Sequence, residues 1–283
     1  MRDGILSIQS AVAYGHVGNS AAVFPLQRLG FEVWPVNTVL FSNHTGYGAW
    51  RGRLVDLAWV EEIVEGIADR GAIPRTRAVL SGYLGDPSLG EAVLRTVARV
   101  RAERPDMLYT CDPVMGDEGR GFFVRPGIPE FFRERAVPAA DIVTPNQFEL
   151  AWLAATAIAS LDDALAAAAK VRATGPKIVV GTSLLLGGED ELGILADSEA
   201  ASWIVWTPRL PVTLNGTGDA FTALFLGNWL KTGDLALTLE NAVAAMYALV
   251  EATHQARSRE LELIAAQDQL VAPHRRFTAQ RVR

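Results

Sequence analysis

The segment Gly216-Thr217-Gly218-Asp219-Ala220-Phe221-Thr222-Ala223-Leu224-Phe225-Leu226 joins a glycine turn to an apolar run typical of a helix. Glycines let a backbone approach a ligand closely, and the first N–H groups of a helix have no acceptor within it. Together with the helix dipole, these groups favour an anion. Because Asp219 would repel a phosphate there, it is more plausible as the base for an attacking hydroxyl. The alternative is an ordinary loop-to-helix turn with an acidic residue in its first turn.

Composition and charge narrow the class of protein. The chain has 283 residues, of which 49% are apolar and 20% charged, as in soluble globular proteins. Its net charge of −6 argues against nucleic-acid binding. The single cysteine, Cys111, excludes an intramolecular disulfide and a multi-cysteine metal site, and it fits a reducing compartment. Because no uninterrupted apolar run reaches the roughly 18 residues of a membrane span, we expect no membrane partner and a cytoplasmic protein.

Short strand-like runs alternate with helical patterns outward from the turn. The predicted strands are Gly4–Gln9, Glu32–Leu40, Arg77–Ser81, Met107–Asp112, Asp141–Thr144 and Lys177–Thr182, followed by a hairpin of Glu191–Ala196 and Ser202–Thr207. The predicted helices are Asn19–Leu29, Trp59–Asp69, Gly90–Glu103, Gln147–Ala154, Leu161–Ala173, Ala220–Lys231, Leu239–His254 and Glu260–Gln269.

Repeated β-then-α units favour an α/β fold in which a mainly parallel central sheet is covered by helices on both faces. No internal repeat and no long linker divides the sequence. We therefore expect one domain over residues 1–283, with a loosely ordered basic tail from Pro273. In open sheets of this class, ligands bind beyond the carboxyl ends of the strands. The residues that follow each strand are thus the candidates for a site.

Polar groups follow the first and third predicted strands. Ser10 comes directly after the first strand and offers a hydroxyl, whereas Asn19 or Ser20 is expected to cap the next helix. Tyr83 follows the third strand between glycines, where its ring either covers a ligand or fills a loop.

The residues after the second strand have an unusual composition. Val39–Gly52 combines aromatic side chains, hydrogen-bonding groups and glycine, the mixture expected in a pocket for a small aromatic ligand. His44 lies within it and is either structural or functional. A histidine metal site is not expected, because the four histidines are widely spaced and no carboxylate cluster surrounds them.

Carboxylates follow the next two strands. Asp112 and Asp117 flank a Pro-Val-Met-Gly sequence at the end of the fourth strand, an arrangement that suits Mg²⁺ with phosphates but also occurs in surface turns. Asn146 and Glu149 fit a helix capping box. The functional alternative for this pair is a polar face toward a hydrated metal and a phosphate.

Hydroxyls complete the series, since Thr182 and Ser183 follow the sixth strand and either reach a phosphate or terminate the strand. Acid, hydroxyl and glycine groups thus follow successive strands, with a carboxylate at an anion-binding helix start. Such convergence indicates phosphoryl transfer, in which a protein supplies positioning, a metal, positive dipoles and a base. No Gly-x-x-x-x-Gly-Lys-Ser/Thr loop is present, so a P-loop enzyme is excluded.

A series of motifs runs in order over roughly residues 5–230: Ile8–Ser10, Tyr14–Ala22, Phe41–Tyr47, Leu80–Tyr83, Cys111–Asp117, Thr144–Glu149 and Gly216–Asp219. Together they resemble the pyridoxal kinases of the ribokinase-like superfamily. Phe41–Tyr47 is specific to the pyridoxal branch, whereas the glycine–Asp turn and the Asn-x-x-Glu pair are shared more widely. The resemblance implies a ribokinase-like three-layer α/β/α sandwich and ATP-dependent phosphorylation of the 5′-hydroxyl of pyridoxal, pyridoxine or pyridoxamine.

The resemblance also implies roles for individual residues. Asp219 would be the general base, with Gly216, Thr217 and Gly218 as the anion hole. The substrate would contact Ser10, Val17, Val39, Phe41, His44, Thr45, Tyr83 and Asp219. Mg²⁺ would be held, largely through water, by Asp112, Asp117 and Glu149. ATP would be bound by Asp112, Thr144, Glu149, Thr182, Ser183, Arg209, Leu210, Pro211, Val212, Thr217 and Gly218. The family is typically a cytosolic homodimer, and some members need a monovalent cation such as K⁺.

Departures from the family pattern concern the phosphates and the nucleotide. Thr182 stands where some bacterial members have lysine, which suggests a larger role for cations in neutralising the phosphates. Gly187–Asp190 is short, and Arg209–Leu214, where the family places the adenine, has little motif content. The rival functions are a kinase for a related small alcohol such as a hydroxymethylpyrimidine, and a non-catalytic pyridoxal-binding protein. The Phe41–Tyr47 signature argues against the first, and the intact Asp112 and Asp219 argue against the second.

Overall fold

The computed structural model describes residues 3–186, 188 and 190–283, so Gly187 and Glu189 of the short Gly187–Asp190 segment lie outside the described residues. The strands are β1 Gly4–Tyr14, β2 Glu32–Asn43, β3 Gly52–Leu54, β4 Thr76–Ser81, β5 Leu108–Cys111, β6 Gly116–Asp117, β7 Gly121–Phe122, β8 Ile142–Val143, β9 Ile178–Leu184, β10 Glu191–Ser198, β11 Ser202–Pro208 and β12 Gln280–Arg281. Ten of them form one sheet in the order β12-β11-β10-β9-β8-β5-β4-β1-β2-β3, and β6 and β7 form a separate ribbon.

The centre of the sheet is parallel. Strands β2, β1, β4, β5, β8 and β9 pair in parallel with one another, because helical crossovers between successive members return the chain to the same end of the sheet. Antiparallel strands extend both edges: β3 beside β2, and β10, β11 and β12 beyond β9. The predicted α/β fold with a mainly parallel sheet is confirmed.

Helices cover both faces of this sheet. They are α1 Asn19–Arg28, α2 Leu57–Ala68, α3 Pro87–Glu103, α4 Ile128–Phe131, α5 Val137–Ala139, α6 Gln147–Ala154, α7 Leu161–Arg172, α8 Thr217–Thr232 and α9 Leu235–Ala256. Buried residues of α2, α3, α6 and α7 share one core with the sheet, and those of α1, α8 and α9 pack on the other face. Strand β9 shows the alternation that produces the two cores, because Val179 faces one and both Ile178 and Val180 face the other.

Strands β1 and β2 run further than predicted. β1 continues past Gln9 to Tyr14, so Ser10 lies inside the strand and not after it. Pairing with β2 explains the extension, since Tyr14 still pairs with Asn43. The register changes around Ser10, because Gln9 pairs with Asn37 while Ala11 pairs with Leu40. The strand irregularity at Ser10 is adjacent to the site described below.

The expectation that Asn19 or Ser20 caps α1 is wrong. The residue at the cap is Gly18, and no side chain caps this helix. The amide of Asn19 is buried and donates instead to the backbone of β1 and β2 and to Asn37 Oδ1, at 2.8 Å. The hydroxyl of Ser20 donates to the Val12 carbonyl at 2.8 Å. Tertiary hydrogen bonds to the sheet therefore replace the local cap.

Two C-terminal expectations are also wrong. Residues 260–269 form turns and not a helix, because their backbone hydrogen bonds follow no constant spacing: the N–H of Leu263 donates to Leu261, that of Ala266 to Glu262 and that of Gln267 to Ile264. The tail from Pro273 is not loosely ordered: β12 pairs with β11, and the Arg283 guanidinium contacts the buried carboxylate of Asp197 at 2.6 Å.

Helix α9 is long and apolar enough to cross a membrane by length and composition alone. In the fold, 56% of that window is buried, and the helix packs against α8, β10 and β11. Its apolar composition is that of a core helix.

Candidate active site

A cavity of ≈ 380 Å³ lies at the carboxyl ends of the parallel strands. Its walls include every residue that the sequence assigns to the substrate and to the catalytic turn: Ser10, Val17, Val39, Phe41, His44, Thr45, Tyr83, Gly216, Thr217, Gly218 and Asp219. The residues assigned to metal and phosphates line it as well: Asp112, Asp117, Thr144, Glu149, Thr182 and Ser183. The strand topology thus brings together side chains that are more than 200 residues apart in the sequence.

The glycine turn begins α8 in a conformation that only glycine adopts easily. Gly216 has φ of 82°, and its carbonyl accepts the N–H of Ala220 at 3.0 Å. A Cβ atom at this position would lie 1.8 Å from the carbonyl oxygen of His16. The close approach of two backbone segments therefore fixes where α8 begins, and the first N–H groups of α8 lie at the cavity wall without acceptors in the helix.

Asp219 lies in the first turn of α8; the residue is half-buried, and its Oδ1 is buried. The backbone N–H of Gly18 donates to it, and its Oδ1 has no hydrogen-bond partner among the described residues. Burial raises the pKa of Asp219, and the N–H of Gly18 partly opposes that increase. Glycine is required nearby, because a Cβ on Gly18 would lie 2.1 Å from the Ser10 carbonyl oxygen. The structure thus holds an acid with one free oxygen at an anion-binding helix start.

Asp112 is the second buried acid, at the end of β5. Burial raises its pKa well above the ordinary range, and the nearby charges of Glu149 and Asp219 raise it further. The hydroxyls of Thr222 and Thr144, which are hydrogen-bonded to each other at 2.8 Å, partly stabilise its charged form. Its Oδ2 has no hydrogen-bond partner among the described residues.

Glu149 forms the predicted capping box with Asn146. The Asn146 side chain accepts the N–H of Glu149 at 2.9 Å, and the carboxylate of Glu149 accepts the N–H of Asn146 at 2.9 Å. The same carboxylate accepts the N–H groups of Met115, at 2.8 Å, and Gly116. Burial raises the pKa of Glu149 to about 8 despite these three donors. The predicted capping box of Asn146 and Glu149 is confirmed. Glu149 also lines the cavity, so its structural role does not remove it from the site.

The acids fit a divalent cation that is bound partly through water. No group of three or more His, Cys, Asp and Glu side chains that could hold a metal ion occurs within residues 3–186, 188 and 190–283. The free Oδ2 of Asp112 nevertheless lies beside Gly218, where a Cβ would be 3.5 Å from it. A carboxylate oxygen without a protein partner beside the glycine turn is the kind of donor that Mg²⁺ prefers, and water would complete the coordination. Asp117 lines the same cavity, pairs with Arg120 and accepts from the Asn146 amide at 3.3 Å, and its assignment to Mg²⁺ stays a prediction.

The other end of the cavity is aromatic and apolar. Phe41 packs against Trp50 with ring centroids 4.2 Å apart. His44 accepts the N–H of Gly46 through Nδ1 at 3.0 Å, which leaves Nε2 as the protonated nitrogen of the neutral ring. Burial and the Arg120 charge lower the pKa of His44, and burial raises the pKa of Tyr83. Both side chains are therefore neutral hydrogen-bond donors at neutral pH, which suits a small polar ring.

The turn Thr45–Tyr47 lies at this aromatic end, where Thr45 and Gly46 line the cavity. The Tyr47 hydroxyl donates to Glu260 at 2.6 Å, and this bond raises the pKa of Tyr47 to about 12. The other carboxylate oxygen of Glu260 accepts the N–H of His16 at 2.9 Å, and the Arg259 guanidinium lies over the Tyr47 ring. The segment after α9, which was expected to be helical, thus holds two loops at the cavity edge.

A second cavity of ≈ 420 Å³ adjoins the first. Thr182, Ser183, Thr217 and Gly218 line both. Of the residues assigned to the nucleotide, Arg209, Leu210 and Val212 line the second cavity, whereas Pro211 is not among the lining residues of either. Its apolar wall comes from α8 and α9: Phe221, Val243, Met246, Tyr247 and Val250.

Several lining residues carried no signal in the sequence. Arg120 and Asn215 line the first cavity, and the apolar residues of α9 that line the second were read only as one side of a helix. Of these residues, only Asn215 could have been identified from the sequence, because it directly precedes the glycine turn.

The known proteins that this chain resembles are kinases. A family model described as phosphomethylpyrimidine kinase matches residues 43–262. Pyridoxal kinase PdxY of Rubrobacter xylanophilus is 58% identical over 281 residues, which cover 98% of this chain and 97% of the relative. The corresponding protein of Granulibacter bethesdensis is 51% identical over 282 residues, covering 98% and 99%.

Solved structures agree with these relatives. The pyridoxal kinase of Leishmania donovani in complex with ADP and pyridoxamine has a TM-score of 0.93 with this chain at 31% identity, covering 99% of this chain and 100% of that one. A complex of the same enzyme with ADP and pyridoxine has a TM-score of 0.92. The motifs, the fold and the relatives therefore lead to one assignment: the chain belongs to the pyridoxal kinase family, with the ribokinase-like fold that its sequence predicts.

Proposed function

We propose that this protein transfers the γ-phosphoryl group of ATP to the 5′-hydroxyl of pyridoxal, and of pyridoxine and pyridoxamine, to give the 5′-phosphate and ADP. One observation carries the proposal: Asp219 has a buried oxygen without a hydrogen-bond partner among the described residues, at the start of α8 and inside a cavity with an aromatic end. The aromatic end, with Phe41 and neutral His44, suits the pyridine ring. A ring bound there would direct its hydroxymethyl group toward Asp219.

In this mechanism Asp219 takes the proton of the 5′-hydroxyl as that oxygen bonds to the γ-phosphorus and the bond to the ADP oxygen breaks. The raised pKa of Asp219 suits a general base, because burial makes the carboxylate a stronger proton acceptor than an ordinary aspartate. The N–H groups at the start of α8 stabilise the negative charge on the transferring group. Activity should therefore rise with pH as Asp219 loses its proton.

We further propose that Asp112, and Glu149 through water, hold Mg²⁺ together with the ATP phosphates. When bound, Mg²⁺ offsets the charge on the phosphate oxygens. The free Oδ2 of Asp112 supports this assignment, as does the clustering of Asp112, Glu149 and Asp219, which repel one another without a cation. The side chains of Thr182 and Ser183 are uncharged and cannot neutralise the phosphates. We therefore also propose that a monovalent cation such as K⁺ binds near the ATP phosphates.

We also propose a cytoplasmic homodimer. The edge of the sheet beyond β2 exposes Leu40 and Trp50, and the neighbouring α2 exposes Trp59 and Ile63. Large exposed apolar side chains of this kind are typical of a protein interface. Light scattering would test it: a dimeric wild type and a monomeric Leu40→Glu/Trp59→Glu variant are expected. A single reduced cysteine supports the cytoplasmic location, which cell fractionation would test.

The deciding experiment is a coupled ATPase assay with pyridoxal, pyridoxine, pyridoxamine and a hydroxymethylpyrimidine, with Mg²⁺ and with or without K⁺. We expect turnover on the B6 vitamers. Asp219→Asn should reduce turnover by about 10²- to 10⁴-fold with nearly unchanged pyridoxal binding. The matched control is Asp162→Asn, which changes an acid in the first turn of α7, away from both cavities.

Three outcomes would contradict the proposal. Turnover on the hydroxymethylpyrimidine alone would favour a pyrimidine kinase, the activity for which the matching family model is named. Tight pyridoxal binding by a wild type without turnover would favour a binding protein. Near-normal turnover in Asp219→Asn would remove the assigned base.

A further inference from the structure

The first cavity contains more acid than base. Asp112, Asp117, Glu149 and Asp219 line it, whereas Arg120 is its one Lys or Arg side chain among the described residues. A nucleotide adds several negative charges to this group. The hydroxyls of Thr182 and Ser183 donate hydrogen bonds but supply no positive charge.

Arg120 lies where the two cavities meet. Among the described residues, it is the Lys or Arg side chain that lines both cavities, beside Thr182 and Ser183. Its charge acts on His44, at the aromatic end of the first cavity, and lowers the pKa of that ring. A phosphate chain that runs from the second cavity toward Asp219 must pass this position.

The present partners of Arg120 hold it weakly. Its guanidinium pairs with Asp117 and lies 5.5 Å from the centre of the Phe123 ring. The Arg120 side chain is 51% exposed, and ion pairs with that exposure contribute about 0–1 kcal/mol. Arg120 is on the turn between β6 and β7, a ribbon with only two residue pairs, and glycines with positive φ, Gly119 and Gly121, flank it.

We propose that Arg120 is the phosphate-binding cation of this enzyme, and that its guanidinium exchanges the carboxylate of Asp117 for the phosphate chain of the bound nucleotide. A guanidinium forms two parallel hydrogen bonds with phosphate oxygens as well as with a carboxylate, and the phosphate chain of a nucleotide carries more negative charge than the single carboxylate of Asp117. The exchange also frees Asp117 to accept hydrogen bonds from cation-bound water. The inference rests on the proposed kinase function, because it takes the nucleotide site from it.

The test is ADP binding by calorimetry in EDTA, without vitamer, so that neither catalysis nor a metal contributes. Arg120→Gln should weaken ADP binding by about 10- to 100-fold, the loss expected for charge-assisted hydrogen bonds. Arg120→Lys should weaken ADP binding less, because the positive charge remains while the bidentate hydrogen bonding of the guanidinium is lost. Asp117→Asn should strengthen ADP binding, because it removes the competing carboxylate.

The matched control is Arg135→Gln, since Arg135 pairs with Glu91 at a similarly exposed site outside both cavities. It should leave ADP affinity unchanged. Arg120→Gln should also reduce the dependence of ADP affinity on NaCl concentration, a readout that a merely structural role would not alter.

Wild-type ADP affinity in Arg120→Gln, or weaker binding in Asp117→Asn, would overturn the inference, and so would failure of the wild type to bind ADP. Failure of the proposed function gives a different result. In that case the wild type would show no vitamer turnover, while the Arg120 dependence of ADP binding would persist.

Discussion

Replacing Gly216 by alanine tests whether the turn before α8 builds the reaction site. Gly216 has φ of 82°, and a Cβ there would lie 1.8 Å from the carbonyl oxygen of His16. The shortest ordinary contact of a Cβ is 3.4 Å, so the two backbone segments must move apart by about 1.6 Å. That movement would displace both the first N–H groups of α8 and the loop that donates to Asp219.

The expected loss has two parts. The left-handed conformation costs a non-glycine residue about 1–2 kcal/mol, which lowers the melting temperature of a chain of this size by about 2–8 °C. The backbone displacement adds to this loss of stability. A misplacement of about 1 Å at reacting groups can cost about 10²-fold in rate, so we expect kcat to fall by at least that factor.

Gly233→Ala is the matched control. Gly233 ends the same helix with φ of 63°, but a Cβ there would meet nothing within 4 Å. This variant should lose about the same stability from its conformation and keep its kcat. Thermal unfolding and steady-state kinetics on both variants separate the two parts. Equal kcat values for Gly216→Ala and Gly233→Ala would refute the reasoning.

Three further predictions concern titration, stability and substrate binding. Because the pKa of Glu149 is raised to about 8 from an ordinary 4.5, the folded protein binds more protons than the unfolded chain between these values. The melting temperature of the ligand-free protein should thus fall from pH 5 to pH 8, and Glu149→Gln should flatten that fall; an unchanged slope would contradict the assignment. Arg172→Leu leaves the buried carboxylate of Asp197 with less compensation and should cost about 3 kcal/mol in urea unfolding, with unchanged KM values. Tyr47→Phe removes the bond to Glu260, which holds the Thr45–Tyr47 turn at the cavity, and should raise the KM for pyridoxal up to about tenfold at similar kcat. A fall confined to kcat would argue that this turn does not contribute to substrate binding.

The parallel centre of the sheet was predictable because its strands are short apolar runs between glycine or polar turns, each followed by a helical pattern. The site was predictable for a related reason, since residues after parallel strands must meet at one edge. Gly216–Asp219, Asp112 and Glu149 therefore come together as the motifs indicate.

Features that depend on contacts distant in sequence were not predictable. Asn is a residue type preferred at helix N-caps, but the sheet beside Asn19 offers four acceptors to its side-chain amide. Residues 260–269 have an apolar pattern close to that of a helix, but the segment begins with tertiary contacts, because the carboxylate of Glu260 accepts from the Tyr47 hydroxyl and from the N–H of His16. Arg120 lies in a ribbon of two residue pairs, which is too short to give a periodic pattern.

The buried acids have a further consequence for how ligand binding is measured. Asp112, Glu149 and Asp219 all have raised pKa values, so the ligand-free cavity holds protons near neutral pH. A cation that enters favours the charged carboxylates, and those protons then pass to the buffer. Calorimetric heats of nucleotide binding with Mg²⁺ should therefore differ between phosphate and Tris in proportion to the ionisation enthalpy of each buffer. The slope of that dependence gives the number of protons displaced.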